Sequence, residues 1–328
     1  MEVEDGAELC FPQLNTSCRK PTFHGTDVLF LHIGLYFVSV LTVALNLLII
    51  ISISYFRQLH TNTNTLLLSL AVSDFLVGLV VMPGEILRQT GCWFLGDLMC
   101  SLYAYLSFII AATSIGNMVL ISIDRYAAIC DPLHYPTRVT ERRVKFCVCL
   151  CWLGSFFYNS LFFKDDLTEP GRYNSCYGQC VFVISYIAGI VDLVMTFITP
   201  VTVIIVLYMR VFVVAVSQAR AMRSHITAVT LQRSVTRTTM KSELKAARTL
   251  GVLVAVFLIC FCPYYCVSLA GDTSVSGSSA AFVLYLFYFN SCLNPLIYAL
   301  FYPWFRKTVK LIVTLQILQP GSREANVL

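Results

Sequence analysis

Seven stretches of this chain are apolar for about 20 residues or more, the length an α-helix needs to cross a bilayer. No other feature narrows the possible folds as much. The stretches run over residues 28–56, 65–87, 98–130, 144–163, 181–213, 249–270 and 280–301. Only 12% of the 328 residues are charged and 57% are hydrophobic. A soluble domain carries about 25% charge, so this composition asks for lipid as its solvent. The expected fold is an all-α membrane protein, a bundle of seven transmembrane helices whose chain ends lie on opposite sides.

Basic residues orient the bundle, because cytoplasmic loops are enriched in them. Of the 23 Lys and Arg, only Arg19, Lys20, Arg88, Lys164 and Arg172 fall on the side of the N-terminus. That side is therefore outside. Residues 1–27 form an extracellular segment, 28–302 the seven-span domain, and 303–328 a cytoplasmic tail. The first 27 residues have no apolar signal-peptide core, so span 1 is expected to act as an uncleaved targeting anchor. In the tail, Trp304, Phe305, Leu311, Ile312 and Leu315 are spaced to form an amphipathic helix on the inner membrane surface. Arg306, Lys307 and Lys310 would then face the headgroups.

Of the 14 cysteines, Cys10, Cys18, Cys92, Cys100, Cys176 and Cys180 lie outside. An even set in an oxidising compartment suggests disulfides, though their connectivity is not readable from spacing. Asn15-Thr16-Ser17 is a glycosylation sequon on the same side. The loop over residues 214–248 is basic and has no acid before Glu243. It suits either a positive-inside anchor at anionic lipid or a docking surface for a cytoplasmic partner, and the two are compatible.

Ionisable groups inside a bilayer are costly and default to functional roles. Asp74 falls midway along span 2. Glu85 and Arg88 fall at the outer end of span 2, and Asp124-Arg125 at the inner end of span 3. Asp192 falls in span 5, about 16 Å below its outer end if the helix starts at residue 181. Thr196 and Thr199 follow Asp192 at helical spacing, forming one polar stripe on an apolar helix. Asp192 is either an internal polar contact or the partner of a cationic ligand. Tyr264, Tyr265 and Tyr288 lie at comparable depth, and aromatic faces suit an ammonium. Glu85 is either a second anion turned inward at Pro83 or a lip residue paired with Arg88. Pro200, Pro263 and Pro295 interrupt spans 5, 6 and 7, as in a bundle built to move.

Several classes are excluded. Internal repeats and broken half-helices, expected of a transporter, are absent from the sequence. Neither a metal-ligand cluster nor a nucleophile constellation occurs in the spans, so the chain does not read as an enzyme. Residues 280–301 contain no Lys to form a Schiff base with a light-absorbing cofactor.

From Asn46 to Lys310 the chain resembles a rhodopsin-like G-protein-coupled receptor. The matching residues are Asn46, Leu70-Ala71-Val72-Ser73-Asp74, Cys100, Asp124-Arg125-Tyr126, Trp152, Pro200, Tyr208, Phe257, Pro263 and Asn294-Pro295-Leu296-Ile297-Tyr298, in order and in the appropriate spans. It is similar in particular to the trace amine-associated receptors. That likeness rests on Asn290 to Phe305, Phe56 to Thr61, Gly91-Cys92-Trp93, Cys176-Tyr177-Gly178-Gln179-Cys180 and Lys245 to Leu250.

The resemblance implies disulfides Cys100–Cys180 and Cys18–Cys176, leaving Cys10 and Cys92 open. It implies a ligand pocket of Asp192, Ser107, Phe108, Ala111, Thr196, Phe261, Tyr264, Tyr265, Ser268, Leu284 and Tyr288. A sodium ion would be held by Asp74, Ser114, Asn290 and Asn294, and Ile115, Pro200 and Phe257 would pass the signal inward. At the cytoplasmic end, Asp124, Arg125, Tyr126, Tyr208, Glu243, Asn294, Pro295 and Tyr298 would form the switch, with Arg125 bound to Glu243 at rest. The partners implied are a small amine, membrane lipid and a stimulatory heterotrimeric G protein that raises cAMP. Two departures stand out. The span 3 position where amine receptors usually carry an Asp is Ser107, which shifts the charge to Asp192 as in a fish-expanded branch. Phe261 stands where a Trp is usual. If Asp192 were an internal contact, a neutral or acidic ligand would fit the same frame.

Overall fold

A computed structural model describes residues 8–20, 26–225, 251–267 and 277–327. Among these residues there are helices, turns and two isolated β-bridges, Leu9 with Arg19 and Ser17 with Tyr177. Helices are the expected outcome, since in hydrocarbon every backbone N–H and C=O must be satisfied within its own segment.

Span 1 is Thr26–Tyr55. Span 2 is Asn62–Leu76, a π-helical turn Val77–Val81, then Met82–Thr90. Span 3 is Asp97–Cys130 and span 4 is Glu141–Phe162. Span 5 is Tyr186–Asp192, a second π-helical turn Leu193–Ile198, then Thr199–His225. The described part of span 6 is the apolar helix Gly251–Val267, and span 7 is Gly277–Phe301. Six of these helices are long and apolar enough to cross a membrane, with the shorter Gly251–Val267 beside them.

The two π turns share a cause. Proline has no N–H and crowds the carbonyl four residues back. For Pro83 that carbonyl belongs to Leu79, and for Pro200 to Thr196, each inside a π turn. Widening to i→i+5 bonding relieves the clash. In span 2 the loosened Gly78 carbonyl accepts a hydrogen bond from Ser39 of span 1 at 2.7 Å. A Cβ at Gly78 would meet Thr42 at 3.0 Å and the Ser39 carbonyl at 3.1 Å, so spans 1 and 2 approach this closely only over glycine.

Span 5 departs from two expectations. The helix begins at Tyr186, capped by the Ser185 side chain, and not at residue 181. Asp192 therefore lies roughly 9 Å below the helix start, shallower than the sequence implied. The wider turn shifts the register behind it, so Thr196 stays on the bundle side while Thr199 becomes exposed. The three-residue polar stripe is a two-residue one.

Polar groups staple the spans together. Asn46 donates to the Ser291 carbonyl at 3.0 Å, joining spans 1 and 7. Trp152 donates to Ser69 at 3.1 Å, joining spans 4 and 2. Asn62 donates to the Val139 carbonyl at 2.7 Å, tying span 2 to the second inner loop.

Outside, residues 8–20 fold over the bundle. Cys18 N–H donates to the Tyr177 carbonyl and Tyr177 N–H to the Thr16 carbonyl, pairing this segment with the second outer loop, and three disulfides fix the lid: Cys100–Cys180, Cys18–Cys176 and Cys10–Cys92. Gly178 has φ +98°, and a Cβ there would strike Phe11, so this turn requires glycine.

Inside, Pro303–Val313 forms the amphipathic helix, with Trp304 and Phe305 buried. Leu315 does not extend the apolar face. It sits just past the helix in the left-handed region, 66% exposed, where the chain turns back. The returning tail meets span 1, where Tyr55 donates to the Ile317 carbonyl at 3.0 Å and Val327 is fully buried.

Two outcomes follow. Non-reducing peptide mapping should recover the Cys10–Cys92 linkage together with the other two. Gly78→Val should destabilise the bundle by about 1–3 kcal/mol through overpacking, seen as a lower Tm in detergent. Gly34→Ala, in a helix interior with nothing within 4 Å of its Cβ, should not lower the Tm.

Candidate functional site

A cavity opens between spans 2, 3, 5, 6 and 7 beneath the lid, with about 620 Å³ of space between its atoms, open mouth included. Span 3 supplies its floor and one wall through Tyr103, Ala104, Ser107, Phe108, Ala111, Ala112 and Ile115. Asp192 and Thr196 come from span 5, Tyr264 and Tyr265 from span 6, and Leu284, Phe287 and Tyr288 from span 7. Phe182, two residues beyond the Cys180 disulfide, and Asn159 complete it. The structure thus brings together nine of the sequence-derived pocket residues: Asp192, Ser107, Phe108, Ala111, Thr196, Tyr264, Tyr265, Leu284 and Tyr288. Phe261 lies one layer lower, on a smaller cleft shared with Ser107, Ala111, Ser114 and Ser291. Ser268 lies outside the described residues.

Two carboxylates reach this cavity in opposite electrostatic states. Glu85, 2% exposed, is saturated. Its Oε1 accepts from Arg88 Nη2 at 2.5 Å and Gln89 Nε2 at 2.7 Å, and its Oε2 accepts from Arg88 Nε at 3.1 Å and Tyr103 at 3.2 Å. It is both a cavity residue and the partner of Arg88, combining the two alternatives the sequence left open. Asp192 is half-buried and accepts one long hydrogen bond, from Tyr158 of span 4 at 3.3 Å. Among the described residues it has no cationic partner. Thr196 hydrogen-bonds the Asp192 carbonyl at 2.7 Å and contacts the Tyr265 hydroxyl at 3.0 Å, linking spans 5 and 6 beside the carboxylate.

Aromatic rings connect the cavity to the interior. Tyr264 and Tyr288 flank Phe287 at 5.0 and 5.5 Å, Phe287 meets Phe261 at 4.2 Å, and Phe261 stacks on Phe257 at 4.3 Å. Phe257 is fully buried and shares a core with Ile115 and Tyr298. Pro200 lies outside this ring column, at the π turn of span 5.

Below it, Asp74 is fully buried and accepts from Ser114 at 3.1 Å, Ser291 at 2.8 Å and Asn294 at 2.8 Å. Asn290 lies against Asn294 at 3.5 Å. The buried Asn294 Oδ1, Asn290 Nδ2 and Asn46 Oδ1 have no hydrogen-bond partner. The Asp74 carboxylate and the Ser114 and Ser291 hydroxyls are hard oxygen ligands, and the orphaned Asn294 Oδ1 would join them once that amide, which here turns Nδ2 to Asp74, is reversed; such a set fits a hard cation.

At the cytoplasmic end, Arg125 binds Asp124 at 2.5 Å and also Thr63. Asp124 accepts further bonds from Thr63 at 2.9 Å and Tyr135 at 2.7 Å. Glu243 lies outside the described residues. Tyr126 packs on Ile129 and Val211, coupling spans 3 and 5. Tyr208 packs against the core, and Tyr298 is buried with its hydroxyl unpartnered.

Sequence reasoning did not single out Tyr158, Phe182, Phe287, Thr63, Tyr135 or Ser291. Phe182 carried one usable signal, its spacing from Cys180. The others are placed by packing between spans remote in sequence, and no local pattern marks them.

Comparison with known proteins agrees with this architecture. Residues 45–298 match the family model for the 7 transmembrane receptor (rhodopsin family). Trace amine-associated receptor 13c of Danio rerio is 37% identical, covering 98% of this chain and 96% of its own. Trace amine-associated receptor 7e of Mus musculus is 38% identical over 98% and 92%, and trace amine-associated receptor 4 of Mus musculus 34% identical over 96% and 94%.

Proposed function

The chain belongs to the rhodopsin family of seven-transmembrane receptors, and within it to the trace amine-associated receptors, and from this we propose that it detects a small extracellular amine and signals through a heterotrimeric G protein. It is a multi-pass plasma-membrane receptor and not an enzyme. The observation that carries the amine reading is Asp192, a carboxylate facing an aromatic cavity without a cation among the described residues. A protonated amine supplies the missing charge, and the rings of Tyr264, Tyr265 and Tyr288 attract it further. Ser107 offers a hydroxyl but no charge, so the ammonium turns toward span 5.

Ligand binding then draws span 5 toward span 6 through Thr196 and Tyr265, and the column Phe287, Phe261, Phe257 carries the change inward. Arg125, tied to Asp124 and Thr63, marks the resting arrangement that the G protein must open. Asp74, Ser114, Asn290 and Asn294, joined by Ser291, would hold a sodium ion, whose positive charge would steady that resting packing. Stimulatory coupling, cAMP as output and a role in olfaction complete the proposal, as the sequence resemblance implies.

A second reading has one observation behind it. The Tyr158 hydroxyl already bonds Asp192, as an internal contact would, and the ligand would then be uncharged. Amines and alcohols of one carbon skeleton separate the two readings, and the amine reading expects only the amines to raise cAMP. Asp192→Ala should weaken the amine response by at least about 30-fold, the loss expected when one partner of a buried charge pair is removed, with surface expression unchanged. An undiminished response in that variant would remove Asp192 from its role. In membranes, sodium should lower agonist affinity, and Asp74→Asn should abolish that effect.

A further inference from the structure

Arg88 is unassigned by the motifs above, yet it holds one of the two carboxylates that reach the cavity. We propose that Arg88 is a built-in counter-ion that sets the valence of the ligand. By neutralising Glu85 it leaves the cavity one free negative charge, at Asp192, and so selects monoamines over diamines. This rests on the amine reading and specifies the substrate class of that same site.

The geometry carries the case. Arg88 grips Glu85 through both Nε and Nη2, at 3.1 and 2.5 Å. A bidentate pair of this kind behaves as a neutral unit toward anything beyond it. The pair spans two compartments: Glu85 lines the ligand cavity, whereas Arg88 lines the outer vestibule beneath the lid together with Arg19 and Gln89. The guanidinium lies over the Phe182 ring at 5.4 Å, which shields it from the side of the cavity roof. Among the described residues it has no other acid to pair with. A second ammonium could reach Glu85 only by expelling Arg88 into that vestibule, leaving a cation without a partner.

Glu85 would nonetheless keep its place without Arg88. Gln89 donates to it and is itself held by Tyr285 at 3.1 Å, and the single Tyr103 hydroxyl proton is shared between Glu85 at 3.2 Å and the Val81 carbonyl at 3.0 Å. Removing the guanidinium therefore exposes a fixed anion in the cavity wall. A cavity with Asp192 on span 5 and a bare Glu85 on span 2 has acids on two walls, as an α,ω-diamine requires.

The experiment compares a monoamine and an α,ω-diamine of the same chain length on full-length receptor in cells, with surface expression measured. Wild type should prefer the monoamine. Arg88→Gln should raise the diamine-to-monoamine potency ratio by about tenfold or more. The double variant Arg88→Gln with Glu85→Gln should restore the wild-type preference. Glu85→Gln alone leaves a bare guanidinium and should weaken both ligands. This arm also keeps the test decisive if Arg88→Gln fails to reach the surface.

A second readout needs no agonist. A cysteine introduced as Ser107→Cys is labelled in purified receptor with a cationic and an anionic methanethiosulfonate, and the rates are read by peptide mass spectrometry against the parent. The preference for the cationic reagent should rise severalfold with Arg88→Gln and fall with Glu85→Gln. An unchanged potency ratio in a surface-expressed Arg88→Gln receptor, a wild-type preference for the diamine, or a reagent preference indifferent to both substitutions would each overturn the proposal. If no amine activates wild type, the amine reading fails by itself, and the labelling rates alone decide whether Arg88 neutralises the cavity.

Discussion

An ionised carboxylate within hydrocarbon costs several kcal/mol unless donors or a cation answer it, and the ways this receptor answers its acids organise the whole molecule. Asp74 is met by two hydroxyls and an amide from spans 3 and 7, which makes it a knot at the centre of the bundle. Asp124 is met by Arg125, Thr63 and Tyr135, which ties spans 2 and 3 to the second inner loop. Glu85 is met by Arg88, Gln89 and Tyr103, which joins spans 2 and 3 at the outer end. Asp192 alone has only one long hydrogen bond among the described residues. The three answered acids hold the frame, and the under-answered one faces the cavity.

Backbone defects put that carboxylate where it can act. Pro83 and Pro200 each force a π turn into the helix ahead of them. In span 2 the turn bends the outer segment carrying Glu85 and Arg88, and Ser39 of span 1 satisfies the freed carbonyl. In span 5 the turn directly follows Asp192 and sends Thr199 to the outside.

The lid and the aromatic column do complementary work at the two ends of the cavity. Outside, the three disulfides clamp residues 8–20 and the second outer loop across the mouth, and Phe182 is carried in behind Cys180. Inside, close-packed rings from Tyr288 to Phe257 offer little room for independent motion. A close-packed interior transmits a displacement where a loose one would absorb it.

Hydropathy and basic-residue bias act locally and need no partner, so seven membrane-crossing helices with the N-terminus outside were legible in the chain alone. The sequence also marked Asp74, Asp124, Arg125 and Asp192, since a charge inside an apolar run is visible without coordinates. Which acid is neutralised was settled by packing. The chain offered Arg88 as one of two alternatives for Glu85 and left Asp192 open between an internal contact and a ligand partner; packing brought Arg88 and Gln89 onto Glu85 and left Asp192 with Tyr158 of span 4. The tertiary structure also decided that Cys10 pairs with Cys92, a contact across 82 residues, and that Thr199 leaves the polar stripe. Ser291, Phe287 and Thr63 joined their sites for the same reason: side chains from helices distant in sequence meet only once the bundle is packed.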